Sequence, residues 1–516
     1  MKKIKDYFLI IMYVLFSLFF LLIWIRVEQR QLYNATSLDW LKRIVIIIIL
    51  SGIYIGIYAL IKRYKVLFLK YKNVILWTVL VCFFIVQLMI GNVLRVHPLY
   101  DYESVYVGAV DWVVTGDFSN YKEYFYYYPN NLGELFFLKC LFYFVSRFGI
   151  HDFYFIGMLV NSISCVGAIA FSFYLIDMTV GYEKAFMALV LFLLTPPMWF
   201  TASVFYTDSL TRVFPIAMLF FYYYSNGTKE KKRRVLSVVA MILAGIIGFF
   251  LKPTVLIVLI AVFIDLILKW NIKELIFGCA FFISIFLISK TAFHNIFYPQ
   301  YLNEETAYAM NTPYETWVYM GLNNDFGFSG DDTLFSRSID DPVVRKQIMR
   351  QAILERINER GIIGTLCHEF EKLVTAYSDG TFELSYTFQF GLVNDTNLER
   401  YLTLQGEDYN KYWTLCAYLY YELQFLLVIC VFTTFYNAIK SKTYEIMQER
   451  FVLILSLFGL NLFLMLWEVH YRYTVNYYPV LLVIAVLGLS NIFSIWSGFY
   501  RRCKQSILKT GKRTDR

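Results

Sequence analysis

"NLGELFFLKCLFYFVSRFGI", residues 131–150, looks like one more membrane crossing, and whether it crosses decides the topology around it. The chain has 516 residues, 59% of them hydrophobic, 20% aromatic and only 17% charged. Its repeated apolar runs approach the roughly 20 residues that one bilayer crossing needs, so it reads as an all-α polytopic membrane protein. Basic residues come in short clusters between the runs: "MKKIK", "KRYKVLFLKYK" from Lys62, "KEKKRR" from Lys229, "KWNIK" from Lys269, "KSK" from Lys440 and "RRCKQSILKTGKR" near the end. Each cluster is expected on the cytoplasmic side. The net charge of +8 therefore reads as topology, and no nucleic-acid partner is expected.

Parity then singles out the opening stretch. The chain is expected to cross at 7–25 and 44–61, and 74–90 leads outward, so residues 91–152 face outside. It must be inside again by Lys229, yet four apolar segments intervene, at 131–150, 153–176, 185–200 and 208–224. An odd number of crossings is required, so one segment does not span. In 131–150, Leu132, Phe136, Phe137, Cys140, Leu141, Phe144 and Phe148 share one face and Lys139, Tyr143, Ser146 and Arg147 the other. That is the pattern of a helix lying in the interface plane. The competing reading keeps it as a span and makes one of its neighbours the misread segment.

Later crossings follow at 235–251, 253–268, 275–293, 412–437, 451–469 and 476–497, giving about twelve spans with both termini cytoplasmic. The expected organisation is two extra N-terminal helices in 1–73, a catalytic membrane core in 74–293 with external loop 91–152, an external region in 294–411, and C-terminal helices with a cytoplasmic tail in 412–516. Helices are expected in the external region from Asp341, where Ile348, Ala352, Ile353 and Ile357 recur at helical spacing. The start has a basic head and no small-residue cleavage site, so it reads as an uncleaved first helix. Cys82, Cys165, Cys279 and Cys430 lie in apolar spans without metal-ligand spacing and read as buried thiols.

This topology collects ionisable residues at the outer membrane face: Arg95, His97, Asp101 and Glu103 in "RVHPLYDYES", Asp208 and Arg212 in "YTDSLTR", Lys252 in "FLKPT", and Glu468, His470, Arg472 and Tyr473 in "EVHYRYTVNYYP". Such groups are costly at the edge of a bundle unless paired or functional. The chemistry that fits is attack by a hydroxyl on an anomeric carbon whose leaving group is a lipid phosphate, with a carboxylate taking the proton and cations holding the phosphate. Asp101 is the expected base, Glu103 and Asp208 its acidic neighbours, and Lys252, Arg472 and Arg212 the phosphate contacts. Plainer roles stay open beside these. Asp101 can cap a helix starting near Glu103, Asp208 and Arg212 at i and i+4 can form a structural ion pair, and Lys252 can snorkel. Tyr128 and Asn130, in "YKEYFYYYPNN", are expected at the substrate or in an interfacial aromatic belt, and Tyr473 and Glu468 are also expected near substrate. The scattered histidines suggest no metal site, and no cofactor is expected.

An outer loop that opens on an acid and continues "GAVDWVVTGDFSNYKEYFYYYPNNLGELFFLKCLFYFVSRFGI" resembles the first external loop of GT-C fold glycosyltransferases, the superfamily of protein O-mannosyltransferases and aminoarabinose transferases. "LLTPPMWFTASVFYTDSLT" is similar to that family's helix pair with a second acid in the next outer loop, which maps onto Asp208. "YMGLNNDFGFSGDD", "YSDGTF" and "EVHYRYTVNYYP" resemble Gram-positive bacterial members. The resemblance, from about Val74 to Ser497, implies a GT-C-like bundle, a catalytic acid in the first loop, and two helices along the membrane. It also implies a polyprenyl-phosphate sugar as donor, a cell-envelope glycan, teichoic acid or other glycopolymer as acceptor, an extracellular active site, and flippase and donor-synthase partners. Two departures stand out: Tyr102 separates Asp101 from Glu103 where O-mannosyltransferases have adjacent acids, and the WWDYG-type signature of oligosaccharyltransferases is absent. Asp325, Asp379 and Glu383 are further expected at the acceptor. The rival readings are a polymerase or ligase using a lipid-linked oligosaccharide, and a lipid-linked sugar flippase, which would favour midplane charges and an internal repeat.

Overall fold

A proline-broken set of helices sets the architecture. The structure, a computed structural model, describes residues 2–31, 37–298 and 300–493. The end of the last expected span at 494–497 and the basic tail lie outside the described residues. Among the described residues nine helices are long and apolar enough to cross a membrane, or ten if Tyr182–Leu193 and Pro197–Ser203, bent by 67°, form one broken span. The remaining expected spans are the 15-residue helix Val213–Gly227 and the short apolar helix Pro253–Leu268. The expected apolar segments thus fold as helices. Pro196 and Pro197 break the hydrogen-bond ladder between Tyr182–Leu193 and Pro197–Ser203, and Pro253 opens the short helix Pro253–Leu268.

The 15-residue helix Leu132–Ser146 is not among the helices long and apolar enough to cross. Its N-terminal turn abuts the end of Lys231–Leu251, where a Cβ added at Gly133 would collide with the Phe250 carbonyl oxygen. Farther along it, Phe142 stacks at 5.0 Å on Phe153, the first residue of the helix Phe153–Val180. Both neighbours lie at one end of the bundle, as parity requires. The buried face differs from the expected one. Leu135, Leu138 and Phe142 pack inward, towards the helix Tyr100–Thr115, whereas Cys140, Phe144 and Phe148 are exposed. The helix is apolar on several sides, so the Phe144–Phe148 edge is left for lipid rather than protein.

Two cores result. The larger runs through the spanning helices and includes Leu373, Val374, Ala376, Tyr377 and Phe382 from the expected loop region. The smaller joins Leu94, Val105, Trp112, Leu135 and Phe142 to Phe205, Phe297, Phe388 and Cys416. It gathers at the ends of the helices Lys72–Val93, Ile272–Phe297 and Tyr409–Ser441 that lie away from the clusters at Lys72, Lys273 and Lys440. The acid-rich and base-rich ends of the molecule are therefore opposite. Cys165 and Cys430 are buried as expected, but Cys82 is exposed on the bundle side.

Helical structure in the region after Asp341 is a 37-residue helix, Pro342–Ser378, kinked at Gly361 with φ 69°. Its second half enters the larger core, and the chain returns to the smaller core through the helix Leu384–Gly391.

Candidate active site

Where the two cores meet, five elements bring acids and bases together. Asp101 lies in the first turn of Tyr100–Thr115, and its Oδ1 accepts a 2.9 Å hydrogen bond from the Tyr124 hydroxyl, which itself accepts from Asn131 Nδ2 at 2.5 Å. The capping role is not taken, because Leu99 occupies the cap position. Glu103 is exposed and two residues away, and residues at i and i+2 of a helix point to different sides. It is not part of the cluster.

Asp208, 4% exposed, is paired with Lys252 through one oxygen, and Arg472 Nε lies 3.5 Å from the other. The ion pair of Asp208 with Arg212 that the spacing allowed does not form. Arg212 is buried and donates to Ser209 O (2.8 Å), Thr201 Oγ1 (3.0 Å), Asn161 Oδ1 (3.3 Å) and Cys165 Sγ (3.3 Å). Asn161 donates to Thr201 O and Val204 O and Gln87 to Met198 O, satisfying backbone carbonyls freed by the broken helix, while Arg212 ties together the side chains of Thr201, Asn161 and Cys165. Its guanidinium is thus spent on holding the segment that carries Asp208, which removes it from the phosphate contacts.

On the far side of Arg472, its Nη1 lies 3.5 Å from Glu383 Oε1, and His470 Nδ1 lies 3.1 Å from the same oxygen. His470 Nε2 is 3.7 Å from Glu468 Oε2, and the Tyr473 hydroxyl donates to Glu468 Oε1. The Lys252 ammonium sits 4.7 Å from the centre of the Tyr473 ring. Burial alone would raise the Glu383 carboxyl, but the Arg472 charge and the His470 hydrogen bond bring it down to about 2. Burial and Arg472 press the His470 imidazole downwards, and the hydrogen bond and charge of Glu383, with Glu468, outweigh them and hold it above its ordinary value. Burial raises Glu468 despite His470, Tyr473 and Arg472.

The backbone fixes Glu383 in an unusual way. Phe382 and Glu383 have φ of 55° and 65°, each costing on the order of 1–3 kcal/mol in a side-chain-bearing residue. Asp379 holds this turn, accepting from the amides of Thr381 (2.9 Å) and Glu383 (3.0 Å). Asp379 is therefore a turn builder, and Asp325 is exposed and outside the cluster. Tyr128 accepts a 3.0 Å hydrogen bond from Arg337, and Asn130 is exposed, donating to Asn131 Oδ1 at 3.1 Å. Arg95 belongs to a separate pair with Asp152, at 2.6 Å.

Glu134 is the residue that sequence reasoning missed. It is 0% exposed, and apart from a contact with the Thr207 amide neither carboxyl oxygen has a hydrogen-bond partner. Burial pushes it well above the ordinary glutamate range, the Asp208 charge adds to this, and Lys252 only partly offsets them. A signal existed: Glu134 is the lone acid in residues 131–150 and follows a glycine. Gly133 is what lets the helix close on Phe250 and set Glu134 beside the Asp208–Lys252 pair.

The family model described as "Conserved hypothetical integral membrane protein" matches residues 1–493. The chain belongs to that family. A comparison with curated proteins gives no match. Among solved structures, this integral membrane protein is similar to the archaeal oligosaccharyltransferase AglB from Archaeoglobus fulgidus, in complex with an inhibitory peptide and a dolichol-phosphate. The identity is 12% and the TM-score 0.44, over 84% of this chain and 52% of that one. The chain thus spans about half the length of that protein.

Proposed function

We propose that this protein is a membrane glycosyltransferase that takes a sugar from a polyprenyl-phosphate donor and places it on a cell-envelope acceptor at the extracellular face, with both termini cytoplasmic. The observation that carries the reading is the half-buried Asp101 carboxylate at the same bundle end as the cations Lys252 and Arg472. In the proposed step an acceptor hydroxyl oxygen bonds to the anomeric carbon while the bond from that carbon to the phosphate oxygen breaks. Asp101 takes the hydroxyl proton. The phosphate leaves with the bonding electron pair and is held by Lys252 and Arg472, which Asp208 and Glu383 keep in place until then. Tyr473 and Glu468 brace Lys252, and Tyr128 and Asn130 are proposed to contact the substrate. No metal or other cofactor enters the step.

The test is transfer from a labelled polyprenyl-phosphate monosaccharide by the full chain in lipid nanodiscs. Asp101→Asn is expected to lower the rate by about 10²–10⁴-fold, and a chelator is expected to leave it unchanged. Full activity in Asp101→Asn would remove it as the base, and chelator inhibition would contradict the metal-free step. Transfer only from an oligosaccharide donor would favour a polymerase or ligase.

A further inference from the structure

Two buried carboxyls at the site have oxygens that no donor answers, and they adjoin. Glu134 is 0% exposed, and beyond its contact with the Thr207 amide neither oxygen has a hydrogen-bond partner. Asp208 gives one oxygen to Lys252. Its Oδ2 has no hydrogen bond, because Arg472 Nε, 3.5 Å away, makes a charge contact there and nothing closer.

The chain wedges Glu134 between the carriers of that ion pair. On one side Gly133 presses the helix Leu132–Ser146 onto the backbone of Phe250, two residues before Lys252. On the other side the Glu134 carboxyl meets the amide of Thr207, one residue before Asp208. The titratable groups that face it are Asp208 and Tyr206 from that segment, Lys252 after the helix Lys231–Leu251, and Asp101 and Tyr102 from Tyr100–Thr115. Among these groups one ammonium serves three carboxyls. Carboxyls that share a buried site cannot all ionise cheaply, and the one without the cation keeps its proton.

A proton on Glu134 matches what Asp208 lacks. A carboxylic acid has one O–H to donate, and Asp208 Oδ2 is a buried acceptor without a donor. The match matters once Lys252 is needed elsewhere. As Lys252 and Arg472 turn to a phosphate, Asp208 is left a buried charge with neither oxygen held, and the cost of stranding it opposes phosphate binding.

We infer that Glu134 is a positioning residue: its protonated carboxyl donates to Asp208, takes the place of Lys252 there, and so frees the ammonium for the phosphate of the donor. The inference rests on the glycosyl-transfer reading above. No covalent bond between heavy atoms changes at Glu134, and the proton stays in the hydrogen bond between the two carboxyls, a charge-assisted bond of the strong kind. An apolar side chain at this position would fill the space without supplying the donor, which separates this role from packing.

The probe is farnesyl methyl phosphate, a diester whose single negative charge does not titrate near neutral pH, bound to the full chain in nanodiscs. Glu134→Leu is expected to weaken binding about tenfold or more, as when a hydrogen bond to a charged group is lost, whereas Glu134→Gln, whose amide also donates, stays within about threefold of wild type. Infrared difference spectra of the wild type are expected to show a protonated-carboxyl C=O band that shifts when the diester binds and is absent from Glu134→Gln. That comparison needs only wild type and the Gln variant, so it decides alone where Glu134→Leu does not fold. Undiminished binding by Glu134→Leu, an equal loss in both variants, or no such band overturns the positioning role and leaves glycosyl transfer standing. Failure of the wild type to bind the diester overturns both readings.

Discussion

Replacing Glu134 with glutamine tests the site without assuming any reaction. Burial holds this carboxyl well above its ordinary range, with Asp208 adding to the shift and Lys252 opposing it. A raised folded-state value means that the native protein binds this proton more tightly than the unfolded chain does. The stabilisation is complete below the unfolded value of about 4.3 and is lost as pH rises through the folded value, at about 1.4 kcal/mol per pH unit in between. Glutamine has nearly the same shape and never ionises, so Glu134→Gln removes this slope. Unfolding of wild type and variant in the same detergent, from pH 4 to pH 8, isolates the residue because all other titrations cancel in the difference. The variant is expected to gain on wild type as pH rises. Were Glu134 ionised and held by Lys252, the Gln variant would instead lose about 3–5 kcal/mol at neutral pH, as when one partner of a buried pair is removed. That loss, or parallel pH profiles, would refute a neutral Glu134.

Two further expectations concern the same neighbourhood. Lys252→Met leaves the Asp208 carboxylate, 6% exposed at its side chain, with only the longer Arg472 contact and is expected to cost up to about 3–5 kcal/mol; adding Asp208→Asn should recover most of it in the same unfolding assay, whereas an equally unstable double variant would argue against the pair. Gly133→Ala forces a Cβ against the Phe250 carbonyl and is expected to cost at least about 1–3 kcal/mol through displaced backbone, read as lower thermal stability, with an unchanged melting curve counting against the close approach.

Much of the architecture was legible because charge and apolar runs obey one-dimensional rules. The flat helix at Leu132–Ser146 came from counting crossings, and basic clusters and acid cluster do lie at opposite bundle ends. The same counting places Asp101, Asp208, Lys252 and Arg472 at one end of the bundle, since sidedness alone gathers residues that are far apart in the chain. What failed were statements needing direction around a helix. Glu103 and Asp101 share a turn but not a face. Arg212 is at the right spacing for Asp208, yet it turns inward to the side chains of Thr201, Asn161 and Cys165 beside a helix break. The break itself is signalled by Pro196 and Pro197, so its need for internal donors could have been anticipated, and a buried arginine is the side chain with the most donors to offer. Glu134 was hidden for a related reason. On the amphipathic pattern it lay between two faces, and only the close approach allowed by Gly133 turns it towards Lys252. A lone acid beside a glycine in an apolar segment that cannot span is therefore better read as aimed at a neighbour than as exposed, because the missing side chain marks where that neighbour sits.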